Sequence, residues 1–302
     1  VNQVRAWINA ARLRTLPLSV SGILVGAGLA SFYGSFQPVI FWLAILTTIG
    51  FQVTSNFAND YGDGIKGTDN QNRIGPKRAL QSGLLSKSAL KKGIIVSIVI
   101  DFLLVLVLLF VSFGIEELLW TMLFIFLGVL SIWAAINYTI GKNAYGYNGL
   151  GDLFVFVFFG LVGVLGSMFL FIKTIPVLAA LPAITVGLLS VGVLNLNNLR
   201  DHRSDKESGK NTLIVKMGFA RGKIYHLVLL SVAFLSLLIF LNLTAKSWWG
   251  YFSLLAFIPI FLHFRKVQNI TDPALLDPEL KILALSTFLM AVLFYFSYHN
   301  FL

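Results

Sequence analysis

Nine stretches of this chain stay apolar over lengths close to a membrane crossing, and that repetition constrains the fold more than any other feature. They cover approximately 15–33, 38–58, 90–113, 118–140, 150–171, 176–199, 224–244, 247–263 and 280–298. A bilayer core about 30 Å thick takes roughly 20 apolar residues of helix to span. The runs are rich in β-branched residues and Phe, which in water would also suit strands. Inside lipid every backbone N–H and C=O must be paired within its own segment, so runs of this length read as helices. The expected fold is an all-α polytopic membrane protein with about nine transmembrane helices. No basic leader with a small-residue cleavage site precedes the first run, which therefore reads as a retained span.

Charged residues make up 12% of the chain, and the 302 residues include no cysteine. A soluble domain carries about 25% charge, so a soluble globule is excluded, as is a disordered chain. The absence of cysteine excludes a disulfide scaffold, thiolate metal sites and thiol catalysis. The net charge of +10 then has to be placed. With nine spans, the N-terminus and the loops after even-numbered spans share one side. All 23 Lys and Arg except Lys173 and Lys246 fall on that side. The positive-inside rule makes it cytoplasmic and puts the C-terminus outside. Loop basicity of this kind is the ordinary topology signal, so nucleic acid is not an expected partner.

Acids are concentrated in two of the same loops. Span two runs into Asn56-Phe-Ala-Asn59-Asp60-Tyr-Gly-Asp63, and span six into Asn195-Leu-Asn197-Asn198-Leu-Arg200-Asp201-His202-Arg203-Ser-Asp205. Asp60 and Asp63 are spaced i, i+3, and Asp201 and Asp205 i, i+4, so on a continuing helix each pair shares a face. Like charges at that spacing repel unless a cation intervenes. Mg²⁺ suits this arrangement, because it takes one or two carboxylates together with substrate phosphate oxygens. Solvated loop acids are the plain alternative for either cluster alone. The two clusters are four spans apart and both follow an outside-to-inside helix. The single domain 1–302 therefore divides into a four-helix repeat at about 15–140, a second at about 150–263, and a ninth helix at about 280–298. Such a repeat brings both acidic ends to one cytoplasmic mouth.

Asn59-Asp60-x-x-Asp63 and Arg200-Asp201-x-x-x-Asp205-x-x-x-Gly209 resemble the two aspartate motifs of the UbiA superfamily of intramembrane prenyltransferases. Within it, four stretches are similar to the 1,4-dihydroxy-2-naphthoate polyprenyltransferase branch of menaquinone biosynthesis. These are Ala10-Ala-Arg12-Leu-Arg14-Thr15-Leu-Pro17, Asn59-Asp60-Tyr61-x-Asp63-x-x-x-Gly67-Thr68-Asp69, Gly149-Leu-Gly151-Asp152-x-Phe-Val-Phe-x-Phe-Phe-Gly160, and Asn197 through Leu213. Two departures stand out. Gly67 occupies the place where the broader superfamily often has a third acid, with Asp69 two residues on, and Tyr138-x-x-x-Lys142 looks more like other branches.

The resemblance implies a transferase of alkyl groups other than methyl, moving a polyprenyl group from its diphosphate to an aromatic carbon. Mg²⁺ held by Asp60, Asp63, Asp201 and Asp205 would neutralise the departing diphosphate. By placement, Arg14, Lys66, Arg78, Lys142 and Arg200 are candidate diphosphate-binding cations, and Asn56, Asn59 and Asn198 candidate polar partners. Asp152, Tyr138 and His202 are candidates for the acceptor. With 1,4-dihydroxy-2-naphthoate as acceptor, CO₂ leaves and the product is demethylmenaquinone. An acceptor such as 4-hydroxybenzoate, as in other branches, is the nearest alternative.

Asp101, inside span three, reads as an interior acid bonded to another helix. Gly22-x-x-x-Gly26 and Gly160-x-x-Gly163-x-x-Gly166 read as close helix contacts, and Trp248 and Trp249 as interfacial anchors. The 59–89 loop is a candidate lid over substrate. A transporter is the rival from a different class, but transporters place binding groups on interrupted helices near the midplane. The two clusters lie at helix ends instead. Asp60-x-x-Asp63-Gly64 also imitates the start of a CDP-alcohol phosphotransferase motif. That motif continues with Ala-Arg and completes its acids within the same helical segment, which this chain does not.

Overall fold

The computed structural model describes residues 3–68 and 74–300. Asp69 lies outside the described residues. Among them there is no strand, and nine helical segments are long and apolar enough to cross a membrane. A short helix, α1 (Gln3–Ala11), packs Trp7 against Phe57 and leads through the left-handed Arg12 (φ 51) into α2 (Leu16–Tyr33). The remaining long helices are α3 (Pro38–Lys66), α4 (Lys87–Phe113), α5 (Leu118–Asn137), α6 (Gly151–Ile172), α7 (Ala180–Glu207), α8 (Phe219–Thr244), α9 (Trp248–Asn269) and α10 (Asp277–Asn300).

The helices run past the apolar boundaries read from hydropathy. α3 continues to Lys66 and α7 to Glu207, so both acidic motifs are helical rather than looped. A helix ends where its backbone finds a terminating conformation, not where its side chains stop being apolar. Both motifs end in the same way. Gly67 (φ 73) and Gly209 (φ 74) adopt the left-handed conformation. The next residue then returns its N–H to the aspartate carbonyl five positions back: Thr68 to Asp63 at 3.1 Å and Lys210 to Asp205 at 2.8 Å. A side chain at Gly67 would be strained there, which accounts for the missing third acid.

α2 and α7 form the inner layer. α2 lies against α10 and α6, while α7 lies against α8, α6 and α10. Small residues permit the closest approaches. A Cβ on Gly22 would stand 2.9 Å from the Phe159 carbonyl and 3.1 Å from the Gly163 backbone, and one on Gly160 2.8 Å from Gly187. The glycine stretches therefore act as helix contacts, apart from Gly166, where a Cβ would meet only the Val162 and Phe124 side chains at ordinary contact distance. The outer faces of α4 and α5 expose Val99, Leu103, Phe110, Leu119 and Phe126, as lipid-facing surfaces do.

α6 departs from α-geometry. After an α-helical turn at Gly151–Val155 it continues as a π-helix over Phe156–Gly166 before the α-helical Ser167–Ile172. α9 likewise begins as a 3₁₀ helix, Trp248–Ala256. The rings of Trp248 and Trp249 stack 3.9 Å apart at this start, with Trp248 exposed. Asp101 faces the interior and accepts the Thr54 hydroxyl of α3 at 2.6 Å, the helix-to-helix bond expected of it.

Candidate active site

Two connected features make the site. A small polar pocket of about 20 Å³ is lined by Asp63, Thr68, Arg78, Asn197, Asp201, Ser204, Asp205 and Lys210. A chamber of about 590 Å³ reaches from the same groups into the membrane. Its polar end carries Arg12, Arg14, Asn56, Asn59, Asp63, Arg78, Tyr138, Asn197, Arg200 and Lys210. Its apolar body includes Ile23, Val105, Leu109, Phe124, Phe158, Phe159 and Val162. The volume suits a bound small molecule, and the body suits a hydrocarbon chain.

Helical spacing sorts the candidates. On α7, Asn197, Asp201, Ser204 and Asp205 share one face and enter the small pocket. Asn198 lies at the edge of that face, about 20° beyond Asp205; it is buried and lines neither space. On α3 the stripe Gln52, Asn56, Asn59, Asp63 lines the chamber. Asp60 sits beside the stripe and is buried, within the field of Arg12. Its carboxylate accepts the backbone N–H groups of Ala79 (3.1 Å) and Leu80 (3.3 Å), and it lines neither space. It thereby fastens the segment after α3, whose Arg78 reaches into both spaces. This segment is the described part of the expected lid.

Asn56 is a fastener as well. Its amide donates to the Ala11 carbonyl at 2.9 Å and the Thr15 hydroxyl at 3.1 Å, fixing the turn that carries Arg12 and Arg14. Arg200 is buried and donates two bonds to Asp201 (2.9 and 2.7 Å), one to Asn197 (2.8 Å) and one to Asp277 of α10 (2.5 Å).

Four other candidates lie away from the chamber. Lys142 is exposed in the turn after α5. Lys66 lies over the Tyr147 ring, 4.0 Å from its centroid. Asp152 is buried at the start of α6 and accepts the Tyr225 hydroxyl at 3.0 Å. His202 bonds the Leu199 carbonyl at 2.8 Å and rests on Phe219. None of the four lines either space. Tyr138 does line the chamber, and burial, reinforced by Asp152, Asp63 and Asp205, pushes its phenol well above the usual range. It is therefore a neutral hydrogen-bond donor.

Tyr147 and Lys210 join the candidate site without being among the residues expected from the sequence: Tyr147 touches its edge and Lys210 lines both spaces. The Tyr147 hydroxyl donates to Asp63 at 2.8 Å and shares a 2.5 Å bond with Thr68. Its carbonyl accepts the Asn211 N–H at 3.0 Å. One residue thus touches the end of both aspartate motifs. Burial, and then the charge of Asp63, pushes its phenol up. Burial alone would pull the Lys210 ammonium down, but Asp63, Asp205, Tyr147 and Asp201 outweigh it and hold it above the usual lysine range. Lys210 follows Gly209 as Thr68 follows Gly67, and that repeated Asp-x-x-x-Gly spacing is the signal that marks it in the sequence.

The donor set fits a hard divalent cation. Asp63, Asp201 and Asp205 surround a space that admits one water-sized object. Among the described residues no three His, Cys, Asp or Glu side chains already form a metal cage. Mg²⁺ needs no such cage, since it completes its shell with water and substrate phosphate.

Comparison with known proteins agrees with this geometry. Residues 19–274 match the UbiA prenyltransferase family. The chain is 43% identical over 294 residues to the 1,4-dihydroxy-2-naphthoate octaprenyltransferase of Haemophilus influenzae, covering 97% of this chain and 95% of that protein. It is 41% identical over 281 residues to the enzyme of the same name from Escherichia coli, covering 93% and 91%. The fold resembles that of a UbiA homolog from Archaeoglobus fulgidus solved with DMAPP and Mg²⁺, with a TM-score of 0.61 at 13% identity over 98% of this chain and 99% of that one. With the family match spanning most of the nine helices and both aspartate motifs, the chain belongs to the UbiA prenyltransferase family.

Proposed function

We propose that this protein transfers a polyprenyl group from polyprenyl diphosphate to 1,4-dihydroxy-2-naphthoate in a Mg²⁺-dependent reaction. The prenyl group replaces the carboxyl, which leaves as CO₂ while diphosphate departs, and the naphthoquinol formed is the reduced form of demethylmenaquinone, for menaquinone biosynthesis. The observation that carries this reading is the junction of a mouth of acids and cations with a long apolar chamber. A diphosphate ester of a hydrocarbon chain matches both ends at once. The near-full-length relatives named for this activity support the choice of acceptor.

Asp63, Asp201 and Asp205 are the residues that would hold Mg²⁺, whose chemistry is to neutralise charge on the diphosphate as the allylic C–O bond breaks. Asp60, in this reading, acts through the Ala79–Leu80 backbone by setting the position of Arg78. Arg78 and Arg200 add fixed positive charge at the polar end, where they act on developing negative charge without reorganising, and Lys210 adds a charge on a flexible stem. Phe154, Phe158 and Phe159 line the chamber beside that end. Their ring faces stabilise an allylic cation and keep water away from it. The neutral Tyr138 hydroxyl is placed to donate a hydrogen bond to the acceptor. The ring carbon attacked is made nucleophilic by the acceptor's own hydroxyls, so no covalent enzyme intermediate is needed.

In this reading the N-terminus and both aspartate motifs face the cytoplasm and the C-terminus faces outside, as the distribution of Lys and Arg supports. The matched endings of α3 and α7 support a division into two four-helix repeats plus α10. The test is to incubate membranes containing the protein with Mg²⁺, a polyprenyl diphosphate, and either dihydroxynaphthoate or 4-hydroxybenzoate. The expected product has the mass of a decarboxylated prenyl naphthoquinol and disappears in EDTA. Transfer to 4-hydroxybenzoate alone, or transfer undiminished by EDTA, refutes the reading.

A further inference from the structure

We propose that Lys210 is a built-in counter-cation that takes the electrostatic place of the divalent metal until diphosphate arrives, so that metal enters this site only in company with diphosphate. The inference rests on the metal–diphosphate reading of the site and adds an order of events to it.

Lys210 is only 7% exposed, although it lies in a loop at the membrane surface. Its backbone is fixed by the 2.8 Å bond to the Asp205 carbonyl, so its side chain starts from a defined point. The ammonium ends 3.9 Å from the Asp205 carboxylate, within the fields of Asp63 and Asp201. The Tyr147 ring lies 5.3 Å away, and the same ring carries Lys66 on it. Arg200 already engages both Asp201 oxygens. Asp63 and Asp205 carry the other carboxylate charges of the pocket, and Lys210 is a buried cation set beside them, on a wall it shares with Arg78.

Lys210 lines both the small pocket and the large chamber. A lysine carries a compact charge on a flexible four-carbon stem, unlike the planar fork of Arg. It can leave the carboxylates if an anion is present on the chamber side to receive it. A bare divalent cation offers no such anion. It would have to enter against an ammonium held in place by the same carboxylates, and the two cations would repel at short range. A diphosphate supplies the missing negative charge, and charge-assisted bonds to its oxygens hold the displaced ammonium. Premature loading by free metal is thereby disfavoured, and the cation reaches the leaving group.

The test measures Mn²⁺ binding to the detergent-solubilised full chain, without substrate, from the free-Mn²⁺ electron paramagnetic resonance signal. Lys210→Met and Lys210→Gln are each expected to bind Mn²⁺ roughly tenfold or more tightly than the wild type. Lys210→Arg, which keeps the charge, is expected to bind as weakly as the wild type. Size-exclusion profiles and helix circular dichroism identify which neutral variant is folded, and either one suffices. Wild-type affinity in both neutral variants, or an equal gain in Lys210→Arg, overturns the proposal. Failure of the underlying reading looks different: the wild type then shows no prenyl transfer with Mg²⁺, whatever the variants bind.

Discussion

Arg200 Nη1 meets Asp277 Oδ1 at 2.5 Å, and through this contact the second aspartate motif on α7 is tied to the first turn of α10. Two residues further along, Glu279 is buried and bonded to His263 Nδ1 at 2.7 Å and to Lys266 at 2.5 Å, both on α9. His263 in turn meets His226 of α8 at 3.0 Å. The start of α10 is therefore held by two acids to α7 and α9, and through His263 to α8. The Arg200 fork is kept compensated from the α10 side while Asp201 serves the pocket.

Asp277→Ala is expected to lower the thermal midpoint in detergent by an amount equivalent to about 1–2 kcal/mol. That lies between an exposed ion pair and a fully buried one, because the Asp277 side chain is 38% exposed. Transfer is expected to fall roughly tenfold, a factor worth about 1.4 kcal/mol of barrier, as Arg200 then draws Asp201 away from the pocket. Differential scanning fluorimetry and a product assay check the two parts.

Asp63→Asn and Asp201→Asn each remove a carboxylate charge while preserving shape. Prenyl transfer is expected to drop by about 10²–10³ or more, the scale for loss of one electrostatic group at a charged transition state. Membrane insertion and helix content stay at the wild-type level. Near-normal turnover in either variant contradicts the assignment of the pocket.

Two glycine substitutions on facing helices are expected to behave in opposite ways. Gly22→Val drives side-chain carbon into the backbone of α6, where Cβ alone would be 2.9 Å from a carbonyl, and should cost about 1–3 kcal/mol of stability. Gly166→Phe points into the chamber, where Cβ meets only side-chain atoms at 3.7 and 4.0 Å. That variant should fold normally yet prefer shorter prenyl diphosphates. Product chain lengths from a mixed donor pool give the readout.

The alkaline response follows from two groups outside the spans. Tyr147 and Lys210 both titrate above their unfolded values in the folded protein. A raised folded pKa contributes stability that is complete below the unfolded pKa and is lost as pH climbs towards the folded one. Neither group therefore changes stability between about pH 7 and 9, and losses begin above about pH 10, near the unfolded Tyr and Lys values. Tyr147→Phe removes the tyrosine share, so its midpoint should fall less steeply over that alkaline range than the wild type. An unchanged slope contradicts the placement of Tyr147.

The nine crossings, the shared face of Asp201 and Asp205, and the glycine contacts other than Gly166 were legible in the sequence because each follows from helical period or segment length. What was not legible depends on chain folding back over distance. Asp60 has the spacing of a pocket ligand, yet a loop nineteen positions away supplies two N–H donors that turn it aside. Tyr147 reaches Asp63 across 84 positions and Asp277 reaches Arg200 across 77, with no local pattern to announce either. Lys142 and Lys66 fitted by charge and sequence position alone, and the turn after α5 and the end of α3 place them outside the chamber. The π-helical stretch of α6 left no trace in hydropathy, since it changes backbone width and not composition.

That stretch, Phe156–Gly166, has a consequence for how such a protein can change over generations. Phe158, Phe159, Val162, Gly163 and Gly166 all border the chamber from it. Five of its 11 positions thus border the chamber, two of them glycine. Single substitutions at Phe158, Phe159, Val162 or Gly166 can then resize or reshape the chamber while the coil itself persists, whereas Gly163 is held by its close approach to Gly22. A lineage built this way can drift towards other lipid tails by small steps without first having to reinvent the space that holds them.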